Sequence, residues 1–194
     1  SLFRPAIVRD LQLSRYGYEL LPRNPSSFTP LPDGRSLLMG PERDWTRREV
    51  AKFSARDADR LPRYEAMLER VAMLLEPLLD EVPPDPWSGR PGDLWRLARL
   101  GWRFRRLGPD GPRAVEILTG AARPILERWF ESEPLKGTLS ASGIIGTFLG
   151  PRSPGTAYVL LHHYMGEIDG AFRAWGFAKG GTGGISASIA QAAQ

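Results

Sequence analysis

Cysteine is absent from this 194-residue chain, which excludes disulfide bonds and thiolate chemistry. No run of about 18 or more apolar residues occurs, so we expect no transmembrane helix. The absence of cysteine fits a reducing compartment, and we therefore expect a cytoplasmic location.

Histidine is nearly absent as well, since His162 and His163 are the only two in the chain. Neighbouring residues on a helix point about 100° apart, so these rings cannot easily share one ion. With no cysteine to complete a ligand set, we expect no metal site. No serine lies in a G-x-S-x-G pattern, which argues against a serine hydrolase.

Neither charge sign strongly predominates in the chain. It has 26 Lys and Arg and 22 Asp and Glu, for a net charge of +4. A nucleic-acid partner would need basic residues gathered on one face, and no binding motif is present. We therefore expect no nucleic-acid partner. The chain starts without methionine and its last helical segment stops at Gln194 without a cap, so we expect an internal piece of a longer protein.

β-Structure is predicted near both ends of the chain. "YGYELL" (16–21) has a strand pattern, and "SSFTPLPDGRSLLMG" predicts a hairpin that turns at Asp33-Gly34. "GAFRAWGFA" (170–178) predicts a late strand. Because strands at the two ends flank a helical middle, we predict an α+β fold with a mixed or antiparallel sheet built from N- and C-terminal strands.

Helices are predicted throughout the middle of the chain. Asp44 or Thr46 is expected to cap the first, and a longer helix from about Ala55 carries an apolar stripe that Pro77 should kink or end. Asp93 and Gly108 bound a helix over 93–107. Further helices are predicted over about 111–120, 123–133 and 134–143, and from a Ser153 cap through "HHYMG".

The closing stretch "WGFAKGGTGGISASIAQAAQ" imitates a phosphate-binding loop without matching one. Gly181 and Gly183 fit the first two positions of G-x-G-x-x-G, but Ser186 stands at the third. Lys179 precedes the glycines instead of following them as in a P-loop. Two interpretations stay open: a plain glycine turn with a helix capped by Thr182 or Ser186, or a helix start whose N–H groups bind a phosphate or another electron-rich group.

Several of these motifs together resemble a known family. "WFESEPLKG" (129–137), "GPRSPGTAY" (150–158), "AWGFAKGG" (174–181), "LPDGRSLLM" (31–39) and "FSARDADRLPRYEAML" (53–68) are similar to the phytoene-dehydrogenase-like branch of FAD-dependent oxidoreductases. The subgroup of pyridine nucleotide-disulphide oxidoreductase domain-containing proteins fits best.

The resemblance implies a specific place in the parent enzyme. This chain matches the substrate domain that lies between two FAD-binding parts, so residues 1–194 would form one substrate-binding-type domain. Within it, residues 1–43 would be β-rich and residues 44–143 helical. Residues 144–194 would form a helix, a strand, a glycine-rich turn and a final helix. Most of the FAD site would then lie outside this chain. The reaction implied is hydride transfer from an apolar substrate to the flavin, which needs no acid–base residue, and the sequence identifies none.

The same resemblance implies roles for single residues. Gly180 and Gly181, with Thr182 and Gly183, would approach the flavin. The family pattern usually has methionine at the position of Thr182, so packing against the flavin and substrate type stay open. Trp175 would wall the substrate tunnel or face the flavin, and Lys179 would pair with a flavin carbonyl or phosphate. Apart from the resemblance, His162 is a candidate for lining a substrate pocket. For all three, ordinary packing or solvation is the alternative.

The helix over 93–107 supports a different hypothesis. Its basic and aromatic side chains would suit a membrane surface, with rings at headgroup depth and guanidinium groups on lipid phosphate. These residues are Trp95, Arg96, Arg99, Trp102, Arg103 and Arg106. An ordinary amphipathic helix with a solvated face is the alternative. A non-catalytic interaction domain is the third hypothesis for the chain.

Overall fold

The computed structural model describes residues 3–165, 167–168, 171–172 and 176–194. Helices and short antiparallel strand pairs make up the fold, which confirms the predicted α+β class. Two compact units divide the chain. We call Ser1–Ala55 with Met165–Gln194 the terminal unit, and Arg56–Tyr164 the helical unit.

The terminal unit combines elements from both ends of the chain. Its elements are α1 (Pro5–Asp10), β1 (Leu20–Pro22), β2 (Ser27–Pro30), β3 (Ser36–Met39), α2 (Arg43–Ala51), β4 (Glu167–Ile168), β5 (Ala171–Phe172), β6 (Gly176–Ala178) and α9 (Gly181–Ala192). A 3-10 turn at Leu13–Tyr16 occupies part of the predicted first strand, which begins only at Leu20. Helix α1, which starts on a proline, was not predicted from the sequence.

The predicted hairpin is confirmed as β2 paired antiparallel with β3. Gly34 adopts φ +83°, and the Asp33 carboxylate accepts hydrogen bonds from the backbone N–H and the Nε of Arg35, at 3.0 and 2.8 Å. This local chemistry explains why the turn could be read from the sequence. Along β3, Leu37 and Met39 are buried, as the two-residue period of a half-buried strand requires.

Strands β1 and β6 pair antiparallel, with Leu20 opposite Ala178 and Pro22 opposite Gly176. The pairing confirms that distant parts of the chain share a sheet. Within the strand predicted over 170–178, the structure shows β5 and β6, and residues 170 and 173–175 lie outside the described residues.

The helical unit is built around a long helix. Its elements are α3 (Ala55–Leu75, whose first residue belongs to the terminal unit), α4 (Pro91–Arg105), α5 (Gly111–Thr119), α6 (Ala122–Trp129), α7 (Glu133–Ala141) and α8 (Thr156–Tyr164). The apolar stripe of α3 is buried as predicted, and α3 gives way to a 3-10 turn at Glu76–Leu79, as Pro77 indicates. Fully buried Tyr64 meets the rings of Trp129, Phe130 and Tyr164 edge-on, at centroid distances of 5.6, 5.0 and 6.4 Å.

Two predicted helix caps are wrong in the first half of the chain. Helix α2 has Glu42 at its N-cap, and the Thr46 hydroxyl instead exchanges two 3.0 Å hydrogen bonds with the backbone of Gly40. Helix α4 has Arg90 at its N-cap, because the chain turns into the helix at Pro91. Asp93 lies inside the first turn, where its carboxylate accepts a 2.7 Å hydrogen bond from Ser88 Oγ.

The predicted start of α8 is also wrong. The helix begins at Thr156, after Gly155 with φ +87°, instead of at Pro154. The Thr156 hydroxyl is buried and accepts from the N–H of Ala122 at 2.9 Å while donating to the Ser153 carbonyl at 2.7 Å. Tertiary hydrogen bonding therefore decides where this helix begins.

Candidate functional site

The glycine turn, Lys179–Gly184, joins β6 to α9 in the terminal unit. Gly180 and Gly181 adopt φ +74° and +70°, a left-handed region that side chains with a Cβ rarely enter. Gly184 N–H donates to the Gly180 carbonyl at 3.3 Å, and a Cβ on Gly184 would lie 2.2 Å from the Lys179 carbonyl oxygen. Glycine is therefore required here by close approach of backbone to backbone.

The start of α9 offers unshielded backbone donors. The first N–H groups of a helix have no intrahelical acceptor, and the helix dipole adds partial positive charge there. Gly181, Thr182 and Gly183 are exposed, and a Cβ at either glycine would meet no atom within 4 Å. The geometry leaves room for an electron-rich group above the turn.

The sequence prediction that Thr182 or Ser186 caps α9 is wrong. The N-cap is Gly180, which has no side chain to supply a capping bond. Ser186 Oγ donates to the Thr182 carbonyl at 3.3 Å, and Ser188 Oγ donates to the Gly184 carbonyl at 2.8 Å. Both hydroxyls therefore bind carbonyl groups along the helix, and no side chain of the described residues caps the N–H groups at its start.

Lys179 is the first residue of the glycine turn and makes two hydrogen bonds to Glu19. Its backbone N–H donates to the Glu19 carbonyl at 2.9 Å, and its Nζ donates to Glu19 Oε2 at 2.6 Å. The hydrogen bond to Glu19 raises the pKa of Lys179. Its ammonium group is therefore charged, and it would have to leave Glu19 to contact a ligand.

His162 lies on α8 in the helical unit. Its ring stacks on Tyr158 at 6.1 Å between centroids, and its Nδ1 is buried. Burial lowers the pKa of His162, and the neighbouring His163 lowers it further. The imidazole is therefore neutral near pH 7. His163 is held separately, with Nδ1 2.8 Å from the Val159 carbonyl oxygen.

The structure brings together only part of the predicted set. Lys179 and Gly180–Gly183 form one continuous turn, whereas His162 belongs to the other unit. Trp175 lies outside the described residues. Among the residues that the structure describes, no three His, Cys, Asp or Glu side chains cluster as metal ligands would.

The side chains of α4 are arranged differently from the basic face predicted for this helix, because several of its arginines pair with carboxylates. Arg99 and Arg103 both bind Glu81, at 2.7 and 3.4 Å, and Arg96 Nη1 lies 3.6 Å from Asp93. The aromatic side chains face solvent instead: Trp95 is 63% exposed and Trp102 is 58% exposed. Helix α4 buries no residue at all.

Guanidinium groups also contact the exposed indoles of α4. Arg99 lies over the Trp95 ring at 5.3 Å and Arg106 over the Trp102 ring at 4.7 Å.

Within the described residues, no helix combines the length and apolar character that crossing a bilayer requires.

A basic groove in the helical unit was not predicted. Arginines from α3, α5 and α6 line it, and they are Arg60, Arg63, Arg70, Arg113 and Arg128. The signal available in the sequence was the recurrence of arginine at 60, 63 and 70, which places three guanidinium groups on one face of a helix.

Comparison with known proteins shows which class of protein this chain is similar to. No protein-family profile matches the chain. Similarity to curated proteins covers all of it, however, and these proteins are named for an oxidoreductase domain.

The relatives are pyridine nucleotide-disulfide oxidoreductase domain-containing protein 2 from Rattus norvegicus, 41% identical over 207 aligned residues, and its counterpart from Mus musculus, 40% identical. The alignment spans all of this chain but only 36% of each relative's length. This similarity supports the subgroup of pyridine nucleotide-disulfide oxidoreductase domain-containing proteins that the sequence motifs indicate.

Proposed function

We propose that this chain is the substrate-binding portion of an FAD-dependent oxidoreductase that transfers hydride from an apolar substrate to the flavin. The observation that carries the proposal is the 41% identity over the whole chain to a relative named for an oxidoreductase domain. The relative is much longer than the aligned region, so there is room elsewhere in such a protein for most of a dinucleotide site.

The glycine turn fits one edge of a flavin. When bound, FAD supplies the hydride acceptor. The exposed N–H groups of Gly181, Thr182 and Gly183 would donate to an electron-rich edge of the ring or to a phosphate. Because no atom of the described residues lies within 4 Å of a Cβ placed on Gly181, a flat ring system could approach the backbone closely.

Each of the remaining predicted residues has its own proposed contact, with the cofactor or with the substrate. Lys179 would exchange its bond with Glu19 for a flavin carbonyl or phosphate. A neutral His162 is compatible with an apolar substrate because it adds no charge to a pocket wall. Trp175 would supply an aromatic wall, a role that rests on the family resemblance.

A matched pair of glycine variants tests the turn in a full-length protein containing this chain. Gly181→Val places a β-branched side chain at φ +70° beside open space, and we expect it to lower bound flavin and turnover. Gly146→Val is the control, because Gly146 has φ +74° and equally open surroundings in the helical unit. If both variants lose flavin equally, the loss is caused by backbone strain, and the proposal that the glycine turn contacts the flavin is contradicted.

Flavin content of the long and short proteins tests the division of the site. We expect the full-length protein to show visible flavin absorbance and the 194-residue chain to bind no stoichiometric flavin. A colourless full-length protein that does not take up FAD would contradict the proposed cofactor. Tight one-to-one binding by the short chain would contradict the placement of most of the site outside it.

A second candidate function is binding to an anionic lipid surface through α4. The observation in its favour is that a helix with two tryptophans more than half exposed buries no residue of its own. Trp87, in the preceding loop, is 92% exposed. Indole rings prefer the bilayer interface, and the neighbouring exposed Arg105 and Arg106 would meet lipid phosphate.

Sedimentation with phosphatidylglycerol vesicles tests this second function. We expect Trp95→Ser with Trp102→Ser to abolish sedimentation, because both rings lie on the solvent face. Phe148→Ser is the control, since Phe148 is a fully exposed aromatic residue outside α4. Absence of sedimentation by the unaltered chain, or equal loss in the control, would contradict lipid binding through α4.

A further inference from the structure

A groove of about 760 Å³ opens on the helical unit, and its lining is dominated by guanidinium groups. Ligand-binding clefts have volumes of roughly 300 to 1,000 Å³, so the groove can hold a small molecule. Its walls come from three helices, and they include Arg60, Arg63, Arg70, Arg113, Arg128 and Trp129.

One wall is a row of arginines along α3. Arg60, Arg63 and Arg70 are separated by three and seven residues, which places them on the same helix face. Met67 lies between Arg63 and Arg70 on that face and also lines the groove. Like charges in such a row repel one another, and an anion in the groove would relieve that repulsion.

Carboxylates hold three of the five arginines in place. Buried Asp110 accepts from Arg70 Nε at 2.7 Å and from Arg113 Nη1 at 3.1 Å, so it fixes guanidinium groups from two walls. Glu116 pairs with Arg128. These two carboxylates neutralise two of the five positive charges, which leaves three.

Among the described residues, the other two arginines, Arg60 and Arg63, pair with no carboxylate in this way. Arg60 Nη1 donates to the Trp129 carbonyl oxygen at 3.2 Å, a neutral acceptor. Arg63 is exposed and makes no ion pair within the part of the chain that the structure describes. Guanidinium groups bind phosphate through paired N–H donors, and both of these remain available for that contact.

The groove also has an apolar side. Met67 and the Trp129 ring line it, and the Arg113 guanidinium lies 5.9 Å from the centroid of that ring. The ligand that fits carries several negative charges and can also have an apolar or planar part.

We propose that this groove binds a soluble, multiply charged phosphate compound. Three uncompensated positive charges around one concave surface call for more than a single monoanion, and paired phosphate groups match several guanidinium groups at once. The proposal is independent of the proposed flavin site, because it rests on residues of the helical unit alone.

Isothermal titration of the 194-residue chain with inorganic pyrophosphate, at constant ionic strength, tests the proposal. We expect saturable one-to-one binding. Arg63→Glu should weaken it by about tenfold or more, because it replaces an unpaired donor by a repelling carboxylate. Arg48→Glu on α2 is the matched control, since Arg48 is exposed and lies outside the groove. It makes the same charge change and should alter the affinity by less than about twofold.

Three results would overturn the proposal. The first is no saturable binding by the unaltered chain. The second is equal weakening by Arg63→Glu and Arg48→Glu, which would indicate a response to net charge only. The third comes from vesicles of phosphatidic acid: if the chain binds them through Arg63 and pyrophosphate does not compete, the groove recognises a lipid headgroup instead of a soluble phosphate. Circular dichroism of each variant verifies that its helices are intact.

Discussion

Asp57 is fully buried near the start of α3, and its carboxylate binds residues more than 70 positions away in sequence. It accepts from the N–H of Glu131 at 2.9 Å, and from the N–H and hydroxyl of Ser132 at 2.8 and 2.6 Å. Ser132 is the N-cap of α7, so one side chain of α3 holds the start of another helix.

Asp57→Ala should therefore lower the free energy of unfolding by about 3 kcal/mol. The reason is that two backbone N–H groups lose a charged acceptor, at about 1–3 kcal/mol for each unsatisfied group, with partial access of water to the site. Urea denaturation followed by circular dichroism measures the change. Asp59→Ala, two residues along the same helix and exposed, should change stability by less than about 1 kcal/mol. Equal effects would show that the hydrogen bonds of Asp57 to Glu131 and Ser132 add no stability beyond that of an exposed acid.

His162 makes stability depend on pH. Burial lowers its pKa in the folded chain below the ordinary histidine value of 6.5, so below that pH the unfolded chain binds a proton that the folded chain resists. Above about pH 6.5, protonation of His162 does not reduce the free energy of unfolding. As the pH falls from about 6.5 towards the lowered pKa of His162 in the folded chain, the free energy of unfolding decreases. Denaturation at pH 7.5 and 5.5 should show this loss, and His162→Gln should reduce it. An unchanged pH dependence in His162→Gln would assign the effect to other groups.

At the scale of elements, the glycine turn and α9 form the clearest local unit. The turn needs glycine for two different reasons: left-handed φ at Gly180 and Gly181, and lack of space at Gly184. Gly183 has neither restriction, although it stands in the same cluster.

Gly184→Ala and Gly183→Ala should accordingly have opposite effects. The first places a Cβ 2.2 Å from the Lys179 carbonyl and should destabilise the terminal unit by more than about 1 kcal/mol, since backbone must shift. The second should stabilise α9 by about 0.5–1 kcal/mol, because alanine is the better helix former and meets nothing. Thermal melting of both variants checks the prediction. A stable Gly184→Ala protein with an unshifted melting temperature would contradict the tight approach.

At the scale of the whole molecule, the two units differ in how the chain builds them. The core of the helical unit is continuous in sequence and includes Tyr64, Leu68, Leu126 and Leu161, all essentially inaccessible to solvent. The terminal unit is discontinuous, because β1 pairs with β6 from the far end of the chain.

Residues 56–164 expressed alone should therefore fold, with helical circular dichroism and cooperative unfolding. Residues 1–55 alone should not hold β1 in a sheet, because its partner β6 is missing. Amide hydrogen exchange on the two pieces measures both expectations. A coil spectrum for 56–164 would contradict the independence of its core.

The sequence by itself determined the features that depend on near neighbours. The β2–β3 hairpin follows from Asp33-Gly34, the stripe of α3 follows from a three-and-four spacing, and the end of α3 follows from Pro77. Each is decided by dihedral preferences and periodicity within a few residues.

Only the tertiary structure decided which helix ends are capped, what Asp57 binds and where the arginines of three helices meet. It also decided that Arg99 and Arg103 of α4 pair with Glu81 while the tryptophans of the helix face solvent. These outcomes depend on contacts between residues far apart in sequence. Local propensity carries no record of such contacts, because hydrogen bonds and ion pairs form wherever packing brings donors and acceptors together.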